Sequence, residues 1–309
     1  MESKDLLVGS TGFVGGNLLK SHEFYSRCHS SDIKDYFGSS PELCVYAGVP
    51  ASMVLANSNP DADMDVIREA RENIRGIQPK KLVLISSIAV YKDSRGYDED
   101  STIIDEGLSA YGRNRLKLEK WIREDFDDVL IIRLPALFGV GLKKNFLYDL
   151  HTITPQMLKA DKYQELAIKN KAVAEGYTLK DNGFYVLNNK ADNHVLRDFF
   201  QSNDYNALYF TDSRSRYQFY NLLRLWKDIM IGLDHDLNLL NLSTPPVTAI
   251  EVYETITGKD DWKNELEAIP FDYDMRTKYA ELYGGTDGYL CTQEEEIQEI
   301  KEFMESWKE

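Results

Sequence analysis

The stretch that decides the fold is residues 6–15, which run Leu-Leu-Val-Gly-Ser-Thr-Gly-Phe-Val-Gly. Its first three residues predict a buried strand, and the apolar residues after the glycines continue with helical spacing. Gly9, Gly12 and Gly15 therefore lie in a turn between a strand and a helix. Glycine there permits positive φ, lets backbone approach a pyrophosphate and allows close helix–strand packing. Because helix N-terminal amides bind phosphates, the stretch predicts a dinucleotide site; a tight turn without a ligand is the alternative.

The first half of the chain alternates short apolar runs with helical patterns. Strands are predicted at 6–8, 23–27, 43–46, 81–85, 129–134 and 238–242, and helices at 64–77, 109–124 and after the capping-box pattern Thr292-x-x-Glu295. This alternation predicts an α/β fold, a Rossmann-type doubly wound parallel sheet, with a smaller, mostly helical substrate-binding lobe. We expect residues 1–140 and 216–250 in the dinucleotide-binding domain, and 141–215 and 251–309 in the lobe.

Composition and charge limit the function classes. The chain has 309 residues, 43% hydrophobic and 28% charged, which is ordinary for a soluble globular protein. Its net charge of −15 repels nucleic acid and anionic membranes, so neither is an expected partner. The cysteines and histidines lack the spacings of disulfide frameworks and metal sites, so we expect no metal. Without a signal-peptide pattern or an apolar run of membrane-spanning length, a cytoplasmic protein is expected.

The end of the second predicted strand bears on the cofactor. Many dinucleotide folds place an acid there to hold the adenosine ribose. This chain has Arg27-Cys28-His29-Ser30 instead. A basic or small residue suits a 2′-phosphate, which favours NADP over NAD; the alternative is that Arg27 is a solvated charge.

Two later segments complete a set of motifs. Residues 86–91 run Ser-Ser-Ile-Ala-Val-Tyr after a predicted strand, and residues 109–115 run Ser-Ala-Tyr-Gly-Arg-Asn-Arg. With the glycine turn and residues 133–139, they resemble the extended short-chain dehydrogenase/reductases, a family of nucleotide-sugar epimerases, dehydratases and reductases. The resemblance is closest over the first 140 residues. It implies an NAD or NADP cofactor, a nucleotide-sugar substrate and a homodimer.

The resemblance also implies roles for three side chains. Tyr111 matches the family's general acid/base, and Ser87 matches the serine that orients the substrate oxygen. The family has a lysine four residues after the tyrosine, on the same helix face. Here that position is Arg115, which keeps the charge but is not interchangeable with lysine. Three alternatives stay open: Arg115 replaces the lysine with retuned or reduced activity, the chain binds cofactor without efficient chemistry, or Tyr111 is only a helix residue facing the sheet.

Further residues follow from the same comparison. The predicted cofactor-binding residues are Gly9, Thr11, Gly12, Phe13, Val14, Gly15, Arg27, Ala47, Gly48, Tyr111, Arg115 and Pro135. The predicted substrate-binding residues are Ser87, Lys144, Asn145 and Arg216, with Arg214 behind Arg216; a solvated basic turn is the alternative for the arginines. His151 is considered as a second acid/base group or as a structural residue.

One acid pair found in part of the family is missing from this chain, and this limits the reactions that we expect. Family dehydratases carry an Asp-Glu pair where this chain has Ile88 and Ala89, so dehydration is disfavoured. The sequence therefore predicts an NAD(P)-dependent oxidoreductase or epimerase that reduces a 4-keto group or epimerises a nucleotide-linked sugar. The alternative is a cofactor-binding regulatory or interaction protein of the same fold, with weakened or lost catalysis.

Overall fold

The computed structural model describes residues 4–93 and 95–307. The strands are β1 (Asp5–Val8), β2 (Ser26–Cys28), β3 (Leu43–Tyr46), β4 (Lys81–Ser87), β5 (Val129–Leu134), β6 (Ala136–Phe138), β7 (Met157–Lys159), β8 (Tyr177–Leu179), β9 (Phe184–Leu187), β10 (Arg216–Tyr217), β11 (Phe219–Asn221), β12 (Leu239–Asn241) and β13 (Val247–Thr248). The helices are α1 (Phe13–Ser21), α2 (Met53–Ser58), α3 (Pro60–Ile77), α4 (Ala110–Asp125), α5 (Phe146–Thr152), α6 (Ala160–Lys169), α7 (Lys171–Gly176), α8 (Asn193–Gln201), α9 (Leu225–Asp234), α10 (Ala249–Thr257) and α11 (Gln293–Ser306).

The chain divides into two compact units. Unit 1 comprises residues up to 142, 216–247 and 272–303, and unit 2 comprises 143–215, 248–271 and the residues from 304. Residues 272–303, which the sequence-based division put in the lobe, belong to unit 1. The buried Glu296 on α11 accepts a hydrogen bond from the Phe219 amide at 2.7 Å, which ties this helix to β11 within that unit.

Unit 1 contains a six-stranded parallel sheet in the order β12-β5-β4-β3-β1-β2. The chain reverses direction across the sheet between β1 and β3, because β2 lies on one side of β1 and β3 on the other. In open α/β sheets, ligands bind at the carboxyl ends of the strands at such a reversal. The predicted doubly wound parallel sheet is confirmed.

Alternating side chains supply a core on each face of this sheet. Leu6 and Val8 of β1 pack on one face with Ile67 and Ile74 of α3, whereas Leu7 packs on the other face with Leu18 of α1. Strand β5 is buried at all six positions, as expected for a central strand covered on both faces. The two layers of helices hold the strand ends rigidly, and the candidate site lies at those ends.

Several element boundaries differ from the sequence-based ones. The second strand begins at Ser26 rather than at residue 23, because Phe24 packs into the core instead of pairing. Helix α3 begins four residues earlier than predicted, since the Asn59 side chain caps it by accepting from the Ala62 amide at 3.3 Å. The predicted capping box is present: the Thr292 amide donates to Glu295 at 2.8 Å, and the Glu295 amide donates to Thr292 at 3.2 Å.

Unit 2 has a core of its own. Helices α6, α7 and α8 pack against an antiparallel sheet in the order β7-β9-β8, around Leu158, Val173 and Phe200. The sequence predicted a mostly helical or irregular region here, with no strands named. These strands have three or four residues each, too few for an alternating pattern to stand out from the polar residues around them.

Across the residues that the structure describes, no helix is both long and apolar enough to cross a membrane.

Candidate active site

The glycine turn joins β1 to α1 and leaves no room for side chains at two positions. Gly9 has φ +88°, and a Cβ there would lie 2.5 Å from the Ala47 carbonyl oxygen. A Cβ on Gly15 would overlap the Gly9 carbonyl oxygen. Helix α1 begins at Phe13, so its first-turn amides point out of the helix toward the turn. This is the geometry of a phosphate cradle.

The carboxyl ends of β2 and β3 meet the same turn. The amides of Gly9 and Ser10 donate to the Cys28 carbonyl at 2.9 and 3.1 Å, and the Ala47 amide donates to the Val8 carbonyl at 2.9 Å. Arg27, just before Cys28, has an exposed side chain. The structure thus brings the glycine turn, Ala47 and the end of β2 together.

An acid also lies near this strand end. Asp32 accepts from the His29 amide at 2.7 Å, so its carboxylate holds the turn after β2. It follows β2 by four residues, in the short link to the next strand.

Ser87 is the last residue of β4. Its hydroxyl accepts from the Ala89 amide at 3.2 Å and caps a single 3₁₀ turn, Ile88–Val90. The side chain is half-buried. Its partner in the sheet register is Leu134 of β5, and Pro135 follows directly. Ser87 and Pro135 therefore lie at the same edge of the sheet.

Tyr111 lies in the first turn of α4, which Ser109 caps by accepting from the Gly112 amide at 3.2 Å. A Cβ on Gly112 would overlap the Ala89 carbonyl oxygen, so the helix start packs directly on the turn that follows Ser87. The Tyr111 amide donates to the Asn57 side chain at 3.0 Å. The segments that carry Ser87 and Tyr111 are therefore in contact.

Arg115 lies one helical turn beyond Tyr111. Its guanidinium carbon is 3.9 Å from the centre of the Tyr111 ring, within the range of a cation–π contact. Its Nη1 donates to the Asp63 carboxylate and its Nη2 donates to the Pro50 carbonyl at 2.6 Å. The structure thus places a buried positive charge against the tyrosine, and an acid pairs with that charge.

A buried network of charged and polar side chains joins β4, the serine strand that ends at Ser87, to β5 and α4. Arg133 of β5 donates to Glu119 of α4 through Nη2 at 2.5 Å and through Nε at 3.1 Å. Ser86 donates to the same carboxylate at 2.5 Å, and Arg133 donates to the Tyr91 hydroxyl at 2.6 Å. Burial alone would lower the pKa of Arg133, but the charge and hydrogen bonds of Glu119 outweigh it, so the pKa is raised and the arginine stays charged. The network fixes α4 against β4 and β5, and so fixes Tyr111 relative to Ser87.

The predicted substrate arginine in unit 1 is already paired. Arg216 Nε donates to Asp272 at 2.6 Å, and its Nη2 lies 3.6 Å from Asp274. Asp274 is shared with Arg276, whose Nε lies at 2.8 Å. An anionic ligand would bind Arg216 in competition with these carboxylates.

Unit 2 carries the remaining substrate candidates. Asn145 caps α5, because its side-chain oxygen accepts from the amides of Leu147 and Tyr148 at 3.0 and 3.2 Å. The neighbouring Lys144 is exposed. His151 stacks on Trp307 with ring centres 4.2 Å apart. Arg214 is paired twice with Asp212, at 2.9 and 2.7 Å, and the pairing lowers the pKa of that acid.

Sequence reasoning missed three side chains of this site. Asp63 and Asn57 contact α4 across more than 50 residues of chain, and Glu119 pairs with Arg133 beneath the serine strand. The Asn-Ser-Asn-Pro segment at 57–60 looks like an ordinary turn before a helix. Of the three, only Glu119 had a local signal, because it is an acid three residues from both Leu116 and Ile122 on the buried side of α4.

No protein-family model matches the sequence, and no curated protein matches it. Solved structures match in fold. The dTDP-4-dehydrorhamnose reductase of Bacillus anthracis, solved with NADP, has a TM-score of 0.63 at 13% identity, covering 99% of this chain and 100% of that one. The Clostridium acetobutylicum dTDP-4-dehydrorhamnose reductase has a TM-score of 0.61 at 13% identity, with 97% and 98% covered. The UDP-N-acetylglucosamine 4-epimerase of Bacillus cereus has a TM-score of 0.58 at 16% identity, with 98% and 100% covered.

These neighbours are nucleotide-sugar enzymes of the extended short-chain dehydrogenase/reductase type. The resemblance predicted from the sequence is therefore confirmed at the level of the fold. The matches extend over nearly the whole chain, including the region after residue 140 where the sequence motifs are sparse.

Proposed function

We propose that this protein is an NAD(P)-dependent oxidoreductase or epimerase acting on a nucleotide-linked sugar, by 4-keto reduction or by epimerisation. The observation that carries the proposal is the contact between the segments bearing Ser87 and Tyr111, with Arg115 stacked on the tyrosine ring. Structural neighbours include a reductase solved with NADP, a protein solved with NADPH and a 4-epimerase, which supports both reactions.

The glycine turn fits a dinucleotide cofactor. Gly9 and Gly15 exclude side chains from the cradle, so backbone amides can approach a pyrophosphate. The cradle would be lined by Thr11, Gly12, Phe13 and Val14. Beside it would lie Ala47 and Gly48, which follow β3, and Pro135, which follows β5. The exposed Arg27 would hold a 2′-phosphate, which favours NADP. When bound, the nicotinamide supplies or accepts a hydride.

The chain's own residues supply proton transfer and positioning. The Tyr111 hydroxyl would give a proton to the sugar oxygen in reduction, or remove one in oxidation. The Ser87 hydroxyl would hold that oxygen by a hydrogen bond. The Arg115 charge would stabilise the phenolate, and its remaining N–H groups would donate to the nicotinamide ribose.

Cationic side chains are proposed to bind the substrate. Arg216 in unit 1 would bind the diphosphate of the nucleotide in exchange for its pairing with Asp272. Lys144 and Asn145 in unit 2 are proposed as further substrate contacts. Exchange of one anion for another keeps the arginine neutralised, and the displaced Asp272 carboxylate, which is 42% exposed, can be hydrated by water.

Two measurements on the purified protein test the function. NADPH fluorescence reports cofactor binding, and loss of absorbance at the nicotinamide band on adding a nucleotide-4-keto sugar reports reduction. Cofactor that stays bound through purification, together with interconversion of a nucleotide sugar and its 4-epimer, indicates an epimerase. If the protein binds NADPH but no nucleotide sugar is turned over, the cofactor-binding regulatory alternative replaces the enzyme.

We further propose a cytoplasmic homodimer. The proposal rests on the resemblance of the sequence motifs to the family. Light scattering of the purified protein tests the dimer: a mass of one chain would contradict it.

A further inference from the structure

One carboxylate holds the arginine that replaces the family's lysine. Asp63, near the start of α3, accepts from Arg115 Nη1 and also from Asn114 Nδ2 at 2.8 Å. The Asp63 side chain is 10% exposed and that of Arg115 is 5% exposed. Pairing in such a buried place is strong, because removing one partner leaves an uncompensated charge out of water.

The pairing uses the fork shape of the guanidinium. While Nη1 reaches Asp63, Nη2 reaches the Pro50 carbonyl at 2.6 Å, and the flat group covers the Tyr111 ring. A lysine ammonium is a single point charge and cannot make these three contacts at once. At position 115, a lysine beside Asp63 would be drawn to the carboxylate.

We propose that Asp63 is a positioning residue that fixes the Arg115 guanidinium over Tyr111 and so makes arginine the functional residue at position 115. This proposal rests on the proposed function, in which Arg115 donates to the nicotinamide ribose. It goes beyond it by naming the residue through which the arginine is placed. Asp63 itself touches neither cofactor nor substrate in this assignment; it acts through Arg115.

A double-mutant cycle on the full chain tests the coupling. The four proteins are wild type, Asp63→Asn, Arg115→Lys and the double variant, and the measurement is the Kd for NADPH from nucleotide fluorescence. We expect each single change to raise Kd by about tenfold, and the double change to raise it by about tenfold rather than a hundredfold. This difference corresponds to a coupling of about 1.4 kcal/mol. Asp63 would then have no effect once Arg115 is gone.

The control is Asp65→Asn, on the same helix. It removes the same charge from a side chain that is 74% exposed and that pairs with Arg68 at the surface. Its Kd should stay within about twofold of wild type. Urea unfolding of every variant establishes that the folded protein is being measured.

Several results would overturn the proposal. Two results would reduce Asp63 to a structural residue. In one, the double variant raises the Kd for NADPH by the product of the two single effects. In the other, Asp63→Asn loses stability while its Kd for NADPH stays unchanged. Because the cycle reads NADPH binding, it does not depend on turnover. If the wild type binds NADPH and turns over no nucleotide sugar, the proposed activity fails while the cycle still decides the role of Asp63. If it binds neither NADPH nor NADH, both proposals fail.

Discussion

The guanidinium of Arg115 lies over the ring of Tyr111, 3.9 Å from its centre. The two residues are four apart on α4, so the helix itself stacks one above the other. Asp63 and the Pro50 carbonyl hold the cation there without any ligand. A charge that is already in place needs no reorganisation when the phenol gives up its proton, which is the physical requirement for efficient electrostatic stabilisation.

Replacing Tyr111 by phenylalanine should separate chemistry from binding. Phenylalanine keeps the ring under Arg115 and removes only the hydroxyl that would transfer the proton. We expect kcat for nucleotide-sugar turnover to fall by about 10²- to 10⁴-fold, while the Kd for NADPH stays the same. Steady-state kinetics and NADPH fluorescence measure the two quantities.

The exposed Tyr25, with 62% of its surface accessible, provides the matched control. Tyr25→Phe removes the same hydroxyl from the same unit and should leave kcat unchanged. Full activity of the Tyr111→Phe variant would remove Tyr111 from the proton-transfer step.

Two adjacent glycines of α1 should respond in opposite ways to alanine. A methyl group on Gly15 would overlap the Gly9 carbonyl oxygen, whereas the nearest atom to a methyl on Gly16 is 4.0 Å away. Gly15→Ala should therefore displace the turn and abolish NADPH binding. Gly16→Ala should keep NADPH binding and raise the free energy of unfolding by about 0.5–1 kcal/mol, because alanine favours the helix.

NADPH fluorescence and urea unfolding of both variants test this contrast. Equal loss of binding in the two variants would mean that the helix as a whole, rather than the close approach at Gly15, controls the cradle.

The parts of the site that the sequence predicted are those with local signals. The glycine turn follows from the spacing of a strand end and a helix start, whereas Ser87 and Tyr111 are implied by the resemblance of their segments to a known family. Ser87 lies at the end of β4, and Tyr111 lies in the first turn of α4. Asp63 and Asn57 carry no such signal. Their contacts with α4 arise from the packing of α2 and α3 against α4, which a single sequence does not specify.

The same distinction explains the fold. The strands β1, β3, β4, β5 and β12 are mostly buried and contain apolar runs, so the sequence predicted them. The edge strand β2 is partly exposed and polar, and its predicted start was wrong. The strands β7, β8 and β9 expose part of each surface and contain polar residues such as Lys159 and Thr178. Their pairing is decided by the helices that cover one face, around Leu158 and Phe200.

The buried pair behind the serine strand should be essential for stability. Glu119 accepts from Ser86 and twice from Arg133, and the side chains of the ion pair are 3% and 4% exposed. Glu119→Gln leaves Arg133 charged and without its carboxylate, so we expect the free energy of unfolding to fall by about 3–5 kcal/mol. Urea unfolding at neutral pH measures the loss.

An exposed ion pair that involves the same helix is the comparison. Lys120 of α4 pairs with Asp105 at 3.0 Å, with both side chains about half exposed. Asp105→Asn should cost about 0–1 kcal/mol. A loss of that size for Glu119→Gln would mean that water reaches the Arg133 guanidinium in the variant.

The buried carboxyl of Glu296 should lower the free energy of unfolding as the pH rises. An acid whose pKa is lowered on folding has the opposite effect. Glu296 of α11 is 2% exposed, and burial raises its pKa well above the usual 4.5. One oxygen accepts from the Phe219 amide and from Thr244, while the other has no hydrogen-bond partner among the described residues. The folded protein therefore keeps a proton that the unfolded chain releases above about pH 4.5.

Because the folded state binds more protons in that window, this group's contribution to the free energy of unfolding is full below pH 4.5 and declines as the pH rises toward the raised pKa. The slope from one such group is about 1.4 kcal/mol per pH unit.

Glu296→Gln keeps the acceptor oxygen and cannot ionise, so the variant should gain stability relative to wild type between pH 5.5 and pH 8, values at which urea midpoints can be compared. The exposed Glu294→Gln should follow the wild-type curve. If Glu296→Gln and wild type run parallel across this range, the carboxyl does not change protonation on unfolding, and the tie between α11 and β11 is insensitive to pH.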